Sequence, residues 1–119
     1  MRPEKLSIPG KLAVFHEHWS PKIVAQVNDT QVKLAKLQGA FEFHRHDDAD
    51  EAFYVLRGSL RIEFRDGTVE LEAGDLIVVP RGVEHRPVAE MEAHVMLIEP
   101  EGTVSTGDHG AGGTTGEWI

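Results

Sequence analysis

Apolar and polar residues alternate along much of this chain with a period of two. Leu60-Arg61-Ile62-Glu63-Phe64-Arg65 alternates strictly and Val32-Lys33-Leu34-Ala35-Lys36-Leu37 loosely, the pattern of strands with one wet face. Asp66-Gly67 follows the first run as a hairpin-turn dipeptide, and Thr68 to Glu72 alternates again. Leu76-Ile77-Val78-Val79 reads as a buried strand stopped by Pro80, after the Ala73-Gly74-Asp75 punctuation. Pro80-Arg81-Gly82 turns the chain, Ala93 to Ile98 is a last strand, and residues 22–27 supply an early one. No segment carries a helical period and no repeat is visible. Short strands at such regular intervals predict an all-β sandwich or barrel.

With 119 residues, a single domain is expected. The net charge of -8 disfavours phosphate backbones and so a nucleic-acid partner. There is no basic cluster to hold a membrane surface. The absence of cysteine excludes disulfides, thiolate zinc sites and a thiol nucleophile. The longest aliphatic runs, Leu76–Val79 and Val95–Ile98, are too short for a signal or spanning segment. A soluble, cytoplasmic protein is expected. From Gly102 the composition turns to Gly, Thr and Ser and reads as a partly ordered tail. Its Trp118-Ile119 end offers an aromatic that docks on the body or on a second subunit.

The candidate chemistry lies in residues 44–51. On a strand, His44 and His46 project from one face, roughly 6.6 Å apart along the backbone. Arg45 points away, and Glu51 opens the next strand (Ala52 to Leu56), whose antiparallel return brings it beside the histidines. Mixed nitrogen and oxygen ligands suit Fe, Mn, Ni, Zn or Cu rather than Ca or Mg. His16-Glu17-His18 has the same spacing, but nothing near it completes a site. Asp47 to Asp50 reads as a solvated turn.

Gly39, His44, His46, Glu51 and Gly58 resemble the first motif of the cupin superfamily, with one residue fewer after the first glycine. Gly74, Pro80, Gly82 and His85 resemble the second motif, and Ala89 stands where the family often has Asn. The resemblance implies an antiparallel double-stranded β-helix, a jelly-roll barrel over residues 12–101, with an N-terminal arm (1–11) and a C-terminal tail (102–119). It implies one divalent transition-metal ion per chain, held by His44, His46, Glu51 and His85. Pro80-Arg81-Gly82 re-aims the chain so that His85 enters the site, while Gly58 and Gly74 permit bends at barrel corners.

Three neutral imidazoles and one carboxylate leave a divalent ion with a net charge near +1. An octahedral ion would keep two positions for water or ligand, so anionic or bidentate oxygen ligands are favoured. Glu42 shares the parity of His44 and His46 and is a candidate partner for an imidazole or a general base. His94, on a face with Met96 and Ile98, is a candidate acid or base but reads better as a satisfied core histidine. Tyr54 is placed on the outer face and His109 in solvent. Small cupins of this kind include dioxygenases and isomerases, so a metalloenzyme acting on a small oxygenated metabolite is one expectation. A small-molecule or sugar-binding module without turnover is another, and a barrel dimer whose metal merely holds the fold is a third. A homodimer is expected, since a lone barrel has sheet edges to cover.

Overall fold

The alternating runs become strands in the computed structural model of the chain, which describes residues 2–108 and 110–119. One short helix, α1 (Ile8–Leu12), precedes β1 (Lys22–Val27), β2 (Thr30–Ala40), β3 (Glu51–Arg57), β4 (Ser59–Phe64), β5 (Gly67–Glu72), β6 (Leu76–Val79), β7 (His85–Pro100) and β8 (Glu117–Trp118). The five residues of α1 are too few to leave a period in the sequence. Ser7 caps the helix, its hydroxyl accepting the Gly10 N–H at 3.0 Å.

The fold is the all-β, antiparallel double-stranded β-helix that the motifs implied. Its axis is the ribbon of β2 and β7, paired from Thr30–Pro100 to Ala40–Val88 with one register shift near Gly39. β7 serves two layers: its first part pairs with β4, from Phe64–His85 to Arg61–Val88. Its second part pairs with β3, from Ala52–Ile98 to Arg57–His94. β5 extends the first layer beyond β4, and β6 extends the second beyond β3. Among the described residues, β5 and β6 each pair on one side only.

The last strand is longer than the sequence suggested, because it starts at His85 rather than Ala93. The β4–β5 turn also shifts by one. Phe64 pairs with Gly67, so the loop residues are Arg65 and Asp66, and Leu60 meets Leu71 in the core. β6 corrects the expectation of a buried strand. It is an edge: Val79 is buried, but Leu76 and Val78 are 58% and 54% exposed.

Between the layers, Ala35, Leu37, Phe53, Val55, Leu60, Ile62, Val95 and Leu97 form the core. A second cluster lies outside the β1–β2 layer, where Phe15, Val24 and Leu34 are covered by Ile8, Leu12 and Ile119. The N-terminal segment is tied down by Lys36, whose Nζ donates to the Leu12 and Phe15 carbonyls at 2.7 Å each. Among the described residues, no helix is long and apolar enough to cross a membrane.

The C-terminal segment crosses the barrel rather than trailing from it. β8 pairs in parallel with β1, and the Ile119 N–H donates to the Ile23 carbonyl at 3.1 Å. It is Ile119 that packs on the body, while Trp118 is 56% exposed. Gly107 packs so closely on the Arg45 backbone that a Cβ there would sit 2.5 Å from the Arg45 oxygen.

Candidate metal centre

The His-x-His segment is a broken continuation of the β2–β7 ribbon rather than a strand of its own. After Ala40, the Phe41 N–H donates to the Pro87 carbonyl; His44 and His85 then exchange two backbone hydrogen bonds, at 3.0 and 2.9 Å. This isolated bridge brings the two motifs together. Gly82 adds a bond from its N–H to the His46 carbonyl at 2.8 Å, and its φ of +78° suits a glycine at that turn. Glu51 arrives from the other layer at the start of β3, so it faces the histidines across the barrel instead of pairing beside them.

The four side chains nominated from the sequence meet at one point. His44, His46, Glu51 and His85 are all buried and offer ligand atoms within 4.8 Å of one another. The imidazoles are oriented from behind. His44 Nδ1–H donates to the Glu42 carbonyl and His85 Nδ1–H to the Val83 carbonyl, both at 2.9 Å. Those bonds leave Nε2 of each ring as the inward ligand atom.

The arrangement fits a cation. His85 Nε2 faces Glu51 Oε1 at 3.1 Å, and three imidazoles around one buried carboxylate are a donor set that suits a divalent transition-metal ion. His46 makes the same point: both of its ring nitrogens are buried without a hydrogen-bond partner among the described residues. Its Nε2 lies 3.4 Å from Glu51 Oε1, a contact too poorly aligned to satisfy it. Burial pushes the Glu51 carboxyl up, yet the imidazoles of His46 and His85 outweigh burial and hold it down at about 2. Burial lowers His44 to about 4, so it is neutral and free to ligate at ordinary pH.

Beside the set lies a cavity of about 40 Å³ whose walls include His44 and Glu51. Trp19, Phe41, Phe53 and Leu37 make most of it apolar. Trp19, in a left-handed conformation (φ 59°), stacks on Phe41 with centroids 4.8 Å apart and donates Nε1–H to the Gln38 carbonyl. Thr103, Ser105 and Thr114 of the C-terminal segment close one side.

Two polar cavity residues escaped the sequence reading. Lys33 is 1% exposed and Glu99 4%, with Lys33 Nζ 3.7 Å from Glu99 Oε2. Burial, and then the adjacent Glu51 carboxylate, raise Glu99 well above the usual carboxylate range, against the opposing pull of Lys33. Lys33 sat on what looked like the wet face of a loose alternation, and Glu99 looked like a strand end. The shared parity of Lys33, Ala35 and Leu37 was the one signal available.

The acid–base candidates lie elsewhere. The Glu42 side chain is exposed, and it is its backbone carbonyl that orients His44. His94 faces away from the cavity, on the parity of Met96 and Ile98, with its Nε2 3.1 Å from Glu92 Oε2. Tyr54 lies on the outer face, half-buried. Around His18, Glu92 reaches Nε2 at 2.7 Å. His109 lies outside the described residues.

A β-helical barrel that gathers three histidines and one glutamate, from the β2–β3 loop and the starts of β3 and β7, defines a class of small barrels with a candidate metal site. The chain belongs to the cupin family: residues 30–100 match the model of the Cupin_2 cupin domain. It is 39% identical over 95 residues to the uncharacterized protein YdbB of Bacillus subtilis, covering 79% of this chain and 81% of that one. The crystal structure of a cupin-2 domain containing protein from Shewanella frigidimarina superposes with a TM-score of 0.79 at 46% identity, covering 80% of this chain and 93% of that one. An acireductone dioxygenase of Heterostelium pallidum is 42% identical over 57 residues, which cover 44% of this chain and 38% of the relative.

Proposed function

We propose that the protein is a metalloenzyme that holds one divalent transition-metal ion, Fe, Mn, Ni, Zn or Cu, on His44, His46, Glu51 and His85. Its substrate is a small oxygenated metabolite, handled by dioxygenase- or isomerase-type chemistry. The observation that carries this reading is His46, whose two unpartnered buried nitrogens sit at the convergence of three other ligand groups. When bound, the ion would supply Lewis acidity to an oxygen donor of the ligand. The chain supplies the rest. Backbone carbonyls fix two ring orientations, aromatic walls exclude water, and the C-terminal segment narrows access. The partial likeness to an acireductone dioxygenase supports the oxygenase branch.

A second reading, ligand binding without turnover, is favoured by one observation: neither Glu42 nor His94 lines the cavity. Elemental analysis of untagged protein, followed by oxygen uptake and product analysis on each metal-loaded form, separates the readings. One equivalent of metal with substrate consumed supports the enzyme. Metal with a ligand recovered unchanged supports the binding module. Protein that takes up no divalent metal removes both. We also propose a cytoplasmic homodimer, the pairing being supported by the exposed apolar edge of β6.

A further inference from the structure

Three lysines on β1 and β2 are buried, and two of them have close hydrogen-bond partners. Lys36 binds two carbonyls at 2.7 Å. Lys22 binds Glu17 at 2.9 Å and lies within 3.6 Å of Glu117. Lys33 is different. Its ammonium has three N–H donors, yet among the described residues it makes one hydrogen bond, to the Thr103 carbonyl at 3.3 Å. Glu99, at 3.7 Å, is beyond hydrogen-bond reach. The side chain is 2% exposed and lines the same cavity as His44 and Glu51. Burying an ammonium is costly, and one long hydrogen bond with a carboxyl group 3.7 Å away leaves donors that a ligand oxygen could fill.

We propose that Lys33 is the anion-binding residue of this cavity: its ammonium takes a carboxylate oxygen of a small ligand whose neighbouring carbonyl or hydroxyl oxygen is on the metal. The ligand class is the small 2-oxo and 2-hydroxy acids. This rests on the metal reading above and adds to it a specificity determinant outside the metal ligands. A divalent ion on the four ligands would put its charge and that of Lys33 on walls of one cavity, while burial and Glu51 raise the Glu99 carboxyl beside them, so a carboxylate would be attracted by both. A neutral ligand of the same shape gains nothing from Lys33. The cavity is small, about 40 Å³, which suits a small acid.

The test uses the full chain loaded with Co(II), with pyruvate as probe and hydroxyacetone as its neutral counterpart. Co(II) uptake is followed by calorimetry and probe binding by the visible Co(II) bands. The variants are K33M, which keeps length without charge, and K33M/E99L, which leaves no unpaired acid behind. The expected result is unchanged Co(II) uptake in both variants, with pyruvate bound about tenfold or more weakly, the scale of one charge-assisted hydrogen bond. Hydroxyacetone should be held equally weakly by all three proteins. Co(II) uptake with pyruvate affinity unchanged in K33M/E99L overturns the proposal alone and leaves Lys33 as a partner of Glu99. So does a Co(II)-loaded wild type that ignores pyruvate. A wild type that takes up no Co(II) overturns the metal reading and this proposal with it.

Discussion

His44 and His85, forty-one positions apart in the chain, are locked backbone to backbone by two reciprocal hydrogen bonds at 3.0 and 2.9 Å. That bridge, rather than a shared strand, fixes the distance between their imidazoles, whose centroids lie 4.4 Å apart. Each ring is then aimed by a carbonyl two residues before it. Replacing either side chain removes a ligand without disturbing the bridge. H44A and H85A should each weaken divalent-metal binding by at least about a hundredfold, since even residues that only support ligands are worth ten- to a hundredfold. H94A should leave it unchanged, because His94 lies on the opposite face. Calorimetric titration of the metal-free proteins checks this.

The C-terminal segment should respond to one methyl group. Gly107 has φ +78°, and a Cβ there would meet the Arg45 oxygen at 2.5 Å. G107A combines left-handed strain with a clash against backbone that cannot swing away, a cost of about 1–3 kcal/mol. The Gly107–Asp108 contact with Arg45 should open, since the Asp108 N–H donates to the Arg45 carbonyl and Asp108 Oδ2 accepts from the Asp47 N–H. Thermal melts and limited proteolysis between residues 103 and 116 report both effects.

The β6 edge carries the proposed dimer. Leu76 and Val78 project outward beside Tyr54 and Ala52 of β3, and their exposure leaves an apolar strip with an unpaired strand edge. Size-exclusion chromatography with light scattering should give twice the 13.2 kDa chain mass for the wild type. L76E/V78E should give the single-chain mass with the metal affinity retained. A wild type already at the single-chain mass refutes the dimer.

Most of the barrel was legible because period-two alternation determines which face of a strand is buried. Leu60, Ile62 and Leu71 all face inward as their parity requires. All four metal-ligand candidates were legible because two spaced motifs place them in a loop and at strand starts, next to the turns their glycines and proline mark. What could not be read depends on neighbours. Leu76 to Val79 looks buried as a run of four aliphatics, yet an edge strand with nothing outside it leaves two of them exposed. Asp66-Gly67 marked the hairpin, but cross-strand pairing of Leu60 with Leu71 fixed the turn one residue earlier. Lys33 and Glu99 are the harder case. Charged residues in a strand default to the wet face, and only the assembled cavity shows them turned inward. The Gly-rich C-terminal segment held no periodic signal, since its order comes from contacts with Arg45, Pro21 and Ile23.

Acid should loosen the metal-free protein before it reaches the usual carboxylate range. Burial holds His44 at about 4 in the folded chain, against an ordinary value of 6.5. Between those values the unfolded chain binds a proton that the folded chain refuses, so stability rises with pH across this window. Lowering the pH from 6.5 to 4 therefore costs stability. Glu51, held at about 2 against an ordinary 4.5, extends the loss to lower pH, because its stabilising contribution as a carboxylate fades as pH falls through that second window. A bound divalent ion competes with protons for the same His44 nitrogen, so the metal-loaded protein should stay flat to lower pH and then lose metal and stability together. Thermal melts at half-unit pH steps, with and without chelator, read this directly. H44N in the metal-free form should flatten the 4-to-6.5 limb, and a limb that persists in that variant would assign the effect to another group.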